Sequence, residues 1–286
     1  MIRWAIVYNP VAGSYRARAL ERIEEALRAE GIEAHFFPTE RRGHATELAR
    51  TLRGFDRLAV YGGDGSLNEA ANGLAGRELP LAFLPGGTAN VMAHELGLPR
   101  DPVKAARLLA LGTVRPVYPG RIDERLFLLM AGIGFDGAAV HRVSSSLKAS
   151  FGKGAYLWAG LAAFCDHAPA VQVVPESGPP RRGVWVVAAR ARRYGGPHTI
   201  HPRAGLTRET LGLTVVGRFG VLPFLAANLG LGLPWAAPGT RIEEHRALAI
   251  TAPEPVHVQV DGDYFRAGTE FRVGLAEQPL AFCFPP

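Results

Sequence analysis

Three short segments of this chain carry residue types suited to holding phosphate. Gly62-Gly63-Asp64-Gly65-Ser66-Leu67-Asn68-Glu69 and Leu84-Pro85-Gly86-Gly87-Thr88-Ala89-Asn90 each follow an apolar strand-like run and open into a helical pattern. Glycine lets backbone come close to a ligand, and the unpaired N–H groups at a helix start favour an anion. Asn9-Pro10-Val11-Ala12-Gly13-Ser14 is a third turn, after the strand-like Ile2 to Tyr8. Any one of them is a turn signal. Three at strand ends predict a nucleotide phosphate site, with Gly86, Gly87 and Asn90 in the cradle and the Thr88 hydroxyl beside it. Among these donors, Asp64 could hold Mg²⁺ directly or through water, or take a proton from an attacking hydroxyl. Asn68 and Glu69 fall on the first turn of the next helix, where an acid also has the simpler role of answering the helix dipole.

A second group of acids lies downstream. Gly132-Ile133-Gly134-Phe135-Asp136 is another glycine turn ending in a carboxylate, and Val260-Asp261-Gly262-Asp263 holds two. A period of two would put Asp261 and Asp263 on one side of a strand, one as base and one as orienter or metal ligand. Asp-Gly is equally a hairpin signal. The histidines lack metal-ligand spacing, His198-Thr199-Ile200-His201 being the nearest approach. No Gly-x-Ser-x-Gly elbow or Cys/His nucleophile pair supports a hydrolase. Cys165 and Cys283 sit in apolar stretches and are expected to be buried free thiols.

Alternating elements must carry the first group. Strand Ile2–Tyr8, a helix with Ala17, Leu20, Ile23 and Leu27 stopped by Gly31, strand Ala34–Phe37, helix Thr46–Leu52 and strand Leu58–Tyr61 predict a parallel sheet faced by helices. Asp101-Pro102 caps the helix with Val103, Ala106 and Leu109. Ligands of such sheets bind at the carboxyl ends of the strands, where Asn9, Asp64 and Gly86 fall. From about residue 115 the pattern turns β-like: Arg125–Met130, Val171–Val174, Val184–Ala189, Leu211–Val216, Ala247–Thr251, Val256–Val260 and Phe271–Leu275. Strands so spaced suggest an antiparallel sandwich or barrel, interrupted by helical insertions near 138–166 and 221–231.

With 286 residues, 48% of them hydrophobic and 20% charged, the chain is neither disordered nor coreless. The net charge is +6, and Lys occurs only at 104, 148 and 153, so the excess is almost all Arg. Arginine forks suit phosphate and anionic headgroups. No basic run interleaved with aromatics points to nucleic acid. The longest apolar run, Ala155–Cys165, is short of the ~20 residues that span a bilayer, and the N-terminus reads as no signal peptide. A cytoplasmic protein is expected.

Taken together, these motifs resemble the diacylglycerol kinase catalytic-domain family, which includes bacterial lipid kinases and sphingosine kinases. The matching pieces are Asn9-Pro10 with Gly13, Gly62–Glu69, Leu84–Asn90, Gly132–Asp136, Tyr194-Gly195-Gly196 followed by Pro202 and Ala204, and Asp261-Gly262-Asp263. NAD kinase and phosphofructokinase share only the Gly-Gly-Asp-Gly core. The resemblance implies an α/β nucleotide domain with a parallel sheet over residues 1–118, joined by a return segment at 278–286. It also implies a β-sandwich-like lipid domain over 119–277.

The implied activity is transfer of the γ-phosphoryl group of ATP, with Mg²⁺, to a hydroxyl of a lipid such as diacylglycerol. Carried over, Asn9, Pro10, Gly13, Thr39, Gly62, Gly63, Asp64, Gly65, Ser66, Asn68 and Thr88 meet the nucleotide, Asp136 meets the acceptor, and Asp64, Asp261 and Asp263 are the catalytic acids. Asp263 stands where the family has the Glu of an Asp-Gly-Glu, proposed as general base. Acids common in the family are absent at Val91, at Tyr118 and at Arg208, which leaves Glu209 as the metal candidate in its segment. The alternative is therefore a catalytically impaired member that binds nucleotide or lipid without fast turnover; a kinase for a soluble polyol or nucleotide is a third reading. Val221–Ala227 and Tyr156–Phe164 could admit an acyl chain, and Arg142, Lys148, Lys153 and Arg193 could meet anionic headgroups during transient contact with a membrane surface. Neither the acceptor lipid nor the oligomeric state has a signature in the sequence.

Overall fold

Strands β1 (Ile2–Tyr8), β3 (Arg57–Gly62) and β4 (Leu81–Pro85) are apolar runs with interiors buried on both faces, as a parallel sheet requires. The computed structural model describes residues 1–146, 169–194, 198–218, 221 and 237–286. Contacts divide it into two units.

The first unit holds Met1–Tyr118 and Glu277–Pro286. Its chain order is β1, α1 (Ala17–Arg28), β2 (Ile32–Pro38), α2 (His44–Thr51), β3, α3 (Asp64–Gly73), β4, α4 (Val91–Leu96), α5 (Pro102–Ala110) and β5 (Thr113–Val117), with the last strand, here β18 (Leu280–Phe284), returning from the far end. The sheet runs β2-β1-β3-β4-β18-β5. All neighbours are parallel except β18 with β5.

The helices follow the sequence signals. α1 buries Ala19, Ile23, Ala26 and Leu27 on one stripe, and Gly31 at φ 72° ends its continuation. α5 has Pro102 in its first turn, and the Asp101 carboxylate accepts the Val103 N–H at 2.8 Å. Where α2 crosses α3 the fit is tight: a Cβ on Gly73 would lie 2.4 Å from the Thr46 carbonyl oxygen.

The second unit holds the described residues of Pro119–Tyr194 and His198–Ala276. Its elements are β6 (Gly120–Ile122), β7 (Arg125–Phe127), β8 (Met130–Gly134), α6 (Phe135–Ser146), β9 (Val171–Pro175), β10 (Arg181–Gly183), β11 (Trp185–Ala189), β12 (Arg193–Tyr194), β13 (His198–Thr199), β14 (Leu211–Val216), β15 (Thr240–His245), β16 (Ala247–Val260) and β17 (Asp263–Leu275). An antiparallel sheet runs β15-β14-β11-β8-β16-β17-β6-β7, with β9 joining β10 to β16, while β12 and β13 form their own ladder. Its core includes Ile133, Val173, Val186, Leu213, Ile250, Val258 and Val273.

Two of the expected strands, Ala247–Thr251 and Val256–Val260, are one strand. β16 runs through both, and its pairing with β17 shifts register between Thr251 and Val256. Pro253 and Pro255 sit at that irregularity, one of the places where a sheet tolerates proline. Arg125–Met130 is instead two strands, β7 and the start of β8, with a break at Leu128 and Leu129. The helical insertion near 138–166 begins earlier, at Phe135; beyond Ser146 it lies outside the described residues. Most of the insertion near 221–231 does so too.

Candidate functional site

Three loops leave the carboxyl ends of β1, β3 and β4 and interlock. Gly86 N–H donates to the Gly62 carbonyl at 2.7 Å, Asn9 N–H to the Tyr61 carbonyl at 3.1 Å and Ser14 N–H to the Gly86 carbonyl at 2.9 Å. The Ser14 hydroxyl adds a bond to the Gly87 carbonyl at 3.0 Å. The Asn9 side chain turns its own loop by accepting the Val11 N–H at 3.0 Å. Pro10 is exposed on that loop, and a Cβ on Gly13 would lie 2.7 Å from the Thr88 hydroxyl oxygen. At Gly87, a Cβ would lie 2.5 Å from the Gly63 Cα, so the two glycine turns rest backbone on backbone.

Asn90 and Asp64 fix the second turn. Asn90 adopts the left-handed conformation, φ 47° and ψ 51°, and its amide both accepts from and donates to Gly87. The Asp64 carboxylate accepts the Val91 N–H at 2.9 Å and the Met92 N–H at 3.0 Å. It begins α3 yet caps α4. Burial pushes the Asp64 carboxyl above its ordinary range, against the pull of those N–H donors. The first turn of α3, with Gly65 and Ser66, has no side-chain cap. Thr88 is exposed beside it on the opposite turn.

Other nominated residues stand further back. Asn68 is buried in α3 and accepts from Asn72. Glu69 accepts the Gly43 N–H at 2.8 Å with its side chain and the Thr46 hydroxyl with its carbonyl, tying α3 to the start of α2. Thr39 N–H extends the sheet edge by donating to the Tyr8 carbonyl at 2.8 Å. Aromatic rings, which carry no motif in the sequence, flank these loops. Tyr8 stacks on Tyr15 with ring centres 5.9 Å apart, and Tyr15 in turn meets Tyr61.

The acids of the second unit form their own network. Glycines let α6 start against the sheet: a Cβ on Gly132 would collide with the Asp136 carboxylate, and one on Gly137 with the His257 carbonyl. Asp136 is buried and takes hydrogen bonds from the Tyr194 hydroxyl and, at 2.7 Å, the Gln259 amide. Burial pushes its carboxyl up, against hydrogen bonds from Tyr194, Gln259 and Trp185. Gln259 then accepts the Gly262 N–H at 2.8 Å, linking Asp136 to the Asp261 turn.

Asp261 and Gly262 both have positive φ, 50° and 89°, and form the two-residue turn between β16 and β17. Because they are turn residues, the period-two relation does not hold. The Asp261 carboxylate accepts the N–H groups of Leu128, Leu129 and Met130 at 2.8, 2.8 and 2.9 Å, while Asp263 opens β17 and is exposed. Glu209 stands apart from both networks, exposed and paired with Arg246 at 3.4 Å. Arg142 and Arg193 are half-buried in this unit. Lys148, Lys153, Tyr156–Phe164, residues 222–227, Gly195 and Gly196 lie outside the described residues.

Residues 3–122 match the family described as the diacylglycerol kinase catalytic domain. The chain is 31% identical to a protein named probable lipid kinase YegS-like from Pseudomonas aeruginosa (strain UCBPP-PA14), over 98% of this chain and 93% of that one. The chain belongs to the diacylglycerol kinase and lipid kinase family. This lipid kinase is also 27% identical to a diacylglycerol kinase of Bacillus subtilis (strain 168), over 92% of its own length and 90% of the relative's.

Solved structures agree on the fold. A crystal structure of a diacylglycerol kinase from Bacillus anthracis str. Sterne superposes on the kinase with a TM-score of 0.76 at 21% identity, over 99% and 97% of the chains. An NAD kinase from Archaeoglobus fulgidus, in complex with ATP, gives 0.56 at 16% identity over 99% and 94%. No helix among the described residues is long and apolar enough to cross a membrane.

Proposed function

We propose that this lipid kinase transfers the γ-phosphoryl group of ATP to a hydroxyl of a lipid such as diacylglycerol. The observation that carries the reading is the backbone contact of Gly63 with Gly87, held by Asp64 and Asn90 next to the uncapped start of α3. Backbone this bare, at the carboxyl edge of a parallel sheet, suits a polyphosphate. In the reaction the lipid oxygen bonds to the γ-phosphorus, the bond from that phosphorus to the β–γ bridging oxygen breaks, and ADP leaves with the electron pair. The hydroxyl proton passes to a base, the role proposed for Asp263. Asp261 holds that turn through its three N–H bonds, and Asp136 is the residue proposed to meet the acceptor. Asn9, Gly13, Thr39, Gly62–Asn68 and Gly86–Asn90 are proposed around the nucleotide.

A divalent ion would neutralise phosphate charge in such a transfer. The described residues bring together no three His, Cys, Asp or Glu side chains able to hold one. Glu209 is engaged with Arg246, and both Asp64 oxygens accept backbone N–H groups. Magnesium is therefore proposed to come with the ATP phosphates rather than to occupy a cage built by the protein.

The Arg-rich composition of the chain, net +6, supports transient contact with an anionic membrane from a cytoplasmic location. Labelled ATP offered with a panel of lipid classes tests the reading. Label in a lipid product, lost in Asp64→Ala, is expected. ATP binding without transfer to any class would overturn it in favour of a binding protein.

A further inference from the structure

Arg190 follows β11, and its side chain is 0% exposed. A buried guanidinium is tolerated only when its donors are satisfied. Here backbone carbonyls take up much of that demand. Its Nη2 donates to the Gly205 and Leu206 carbonyls, each at 2.9 Å, and to Arg208, while Nη1 donates to Thr210. Four carbonyl oxygens of one six-residue loop thus converge on one cation. Carbonyl oxygens gathered in this way are also what a hard divalent ion seeks.

The side chains of the loop do not complete a metal site. Glu209 turns outward to Arg246, and Arg208 pairs with Glu244 at 2.7 Å. No carboxylate of the loop faces the carbonyl cluster. A second cation there would sit against the guanidinium and compete with it for the same four carbonyl oxygens.

We propose that Arg190 is the resident cation of the 205–210 loop, ordering it as a bound divalent ion would and excluding such an ion from it. The charge is covalently attached, so the shape of the loop is independent of metal supply. Burial lowers the guanidinium to about 10, still well above neutral, so it stays protonated under working conditions. Arg190 is a positioning residue. The proposal holds whether or not the chain transfers phosphate, because it concerns a loop and its cation rather than the reaction.

The test begins with the unmodified, nucleotide-free protein. Mn²⁺ titration followed by electron paramagnetic resonance should reveal no stoichiometric site tighter than about 1 mM, the weak end of protein cation sites. Hydrogen exchange across 203–211 should be the same in EDTA and in Mg²⁺. Arg190→Ala should speed exchange in that loop at least tenfold, and added ethylguanidinium should restore protection where Mg²⁺ does not. One tightly bound Mn²⁺ per chain, displaced by Mg²⁺ and protecting residues 203–211, would overturn the proposal. If Arg190→Ala fails to fold, the two measurements on the unmodified protein decide, and Arg190→Lys, which keeps the charge without the fork, should lose part of the protection yet remain indifferent to Mg²⁺.

Discussion

Gly63 and Gly87 touch backbone to backbone, and no side chain can be inserted at Gly87 without pushing the Gly63 turn away. Gly87→Ala is therefore expected to destabilise the first unit by about 1–3 kcal/mol, the usual cost of overpacking a close contact. It should also weaken ATP binding at temperatures where the protein remains folded. Urea denaturation and calorimetric titration with a non-hydrolysable ATP analogue check the two effects separately. A variant that binds ATP normally would remove Gly87 from the cradle.

Asp64 caps α4 with both oxygens. Asp64→Ala leaves two N–H groups without partners, at about 1–3 kcal/mol for each one that stays dry. Asp64→Asn keeps one acceptor oxygen and should recover about half of that loss while transfer stays low. Chemical denaturation of both variants beside the labelled-ATP assay provides the comparison. Full activity in the Asn variant would show that geometry, not charge, is what Asp64 contributes.

Much of the first unit is legible because each signal is local. The Ile2–Tyr8 and Leu58–Tyr61 runs, the stop at Gly31 and the Asp101-Pro102 cap need no knowledge of the rest of the chain. In the second unit the local signals mislead where a strand breaks a compositional rule. Pro253 and Pro255 read as the end of a strand that continues through them, and residues 263–270 of β17 are too polar and exposed to read as sheet. Counting along a strand puts Asp261 and Asp263 on one side, and counting fails at a turn. Gln259 and Arg190 had no signal at all. Each is one unremarkable residue of a β region, and its partners are distant in sequence: Asp136 for one, the 205–210 loop for the other.

Gln259 joins Asp136 to the turn before Asp263. Gln259→Leu removes both bonds at similar volume, freeing that turn and leaving Asp136 with fewer donors. Since a displacement of ~1 Å can cost ~100-fold in rate, kcat is expected to fall between about 10- and 100-fold. The KM for ATP should be unchanged. Steady-state kinetics with lipid in mixed micelles separates the two constants; an equal loss through the KM for ATP would contradict this assignment.

His201 is fully buried, its ring lies against Gly212, and Nε2 is 3.0 Å from the Glu243 carbonyl. Burial is the main cause lowering its imidazole from 6.5, with Arg203 and Arg208 adding to the shift and Glu244 opposing it. The unfolded chain then binds a proton near pH 6.5 that the folded chain refuses, so stability rises with pH in that window. The contribution is complete above about pH 6.5 and is lost as pH falls below it. Melting temperature should drop from pH 7.5 to pH 5.5, and His201→Gln should flatten part of that slope. An unchanged slope in the variant would assign the dependence to other groups, such as His257, whose imidazole is also lowered by burial.

β18 lies between β4 and β5, so the sheet that begins with the first strand closes only with the last. During synthesis the ribosome must deliver every residue of the second unit before Leu280–Phe284 emerge. Until then β4 has one exposed edge and β5 has no partner in the sheet. The residues of the three glycine loops are synthesised early, but the sheet beneath them is finished late. A chain cut short anywhere before Leu280 would leave that edge open to other chains, which makes truncated products of this kinase candidates for aggregation rather than for partial activity.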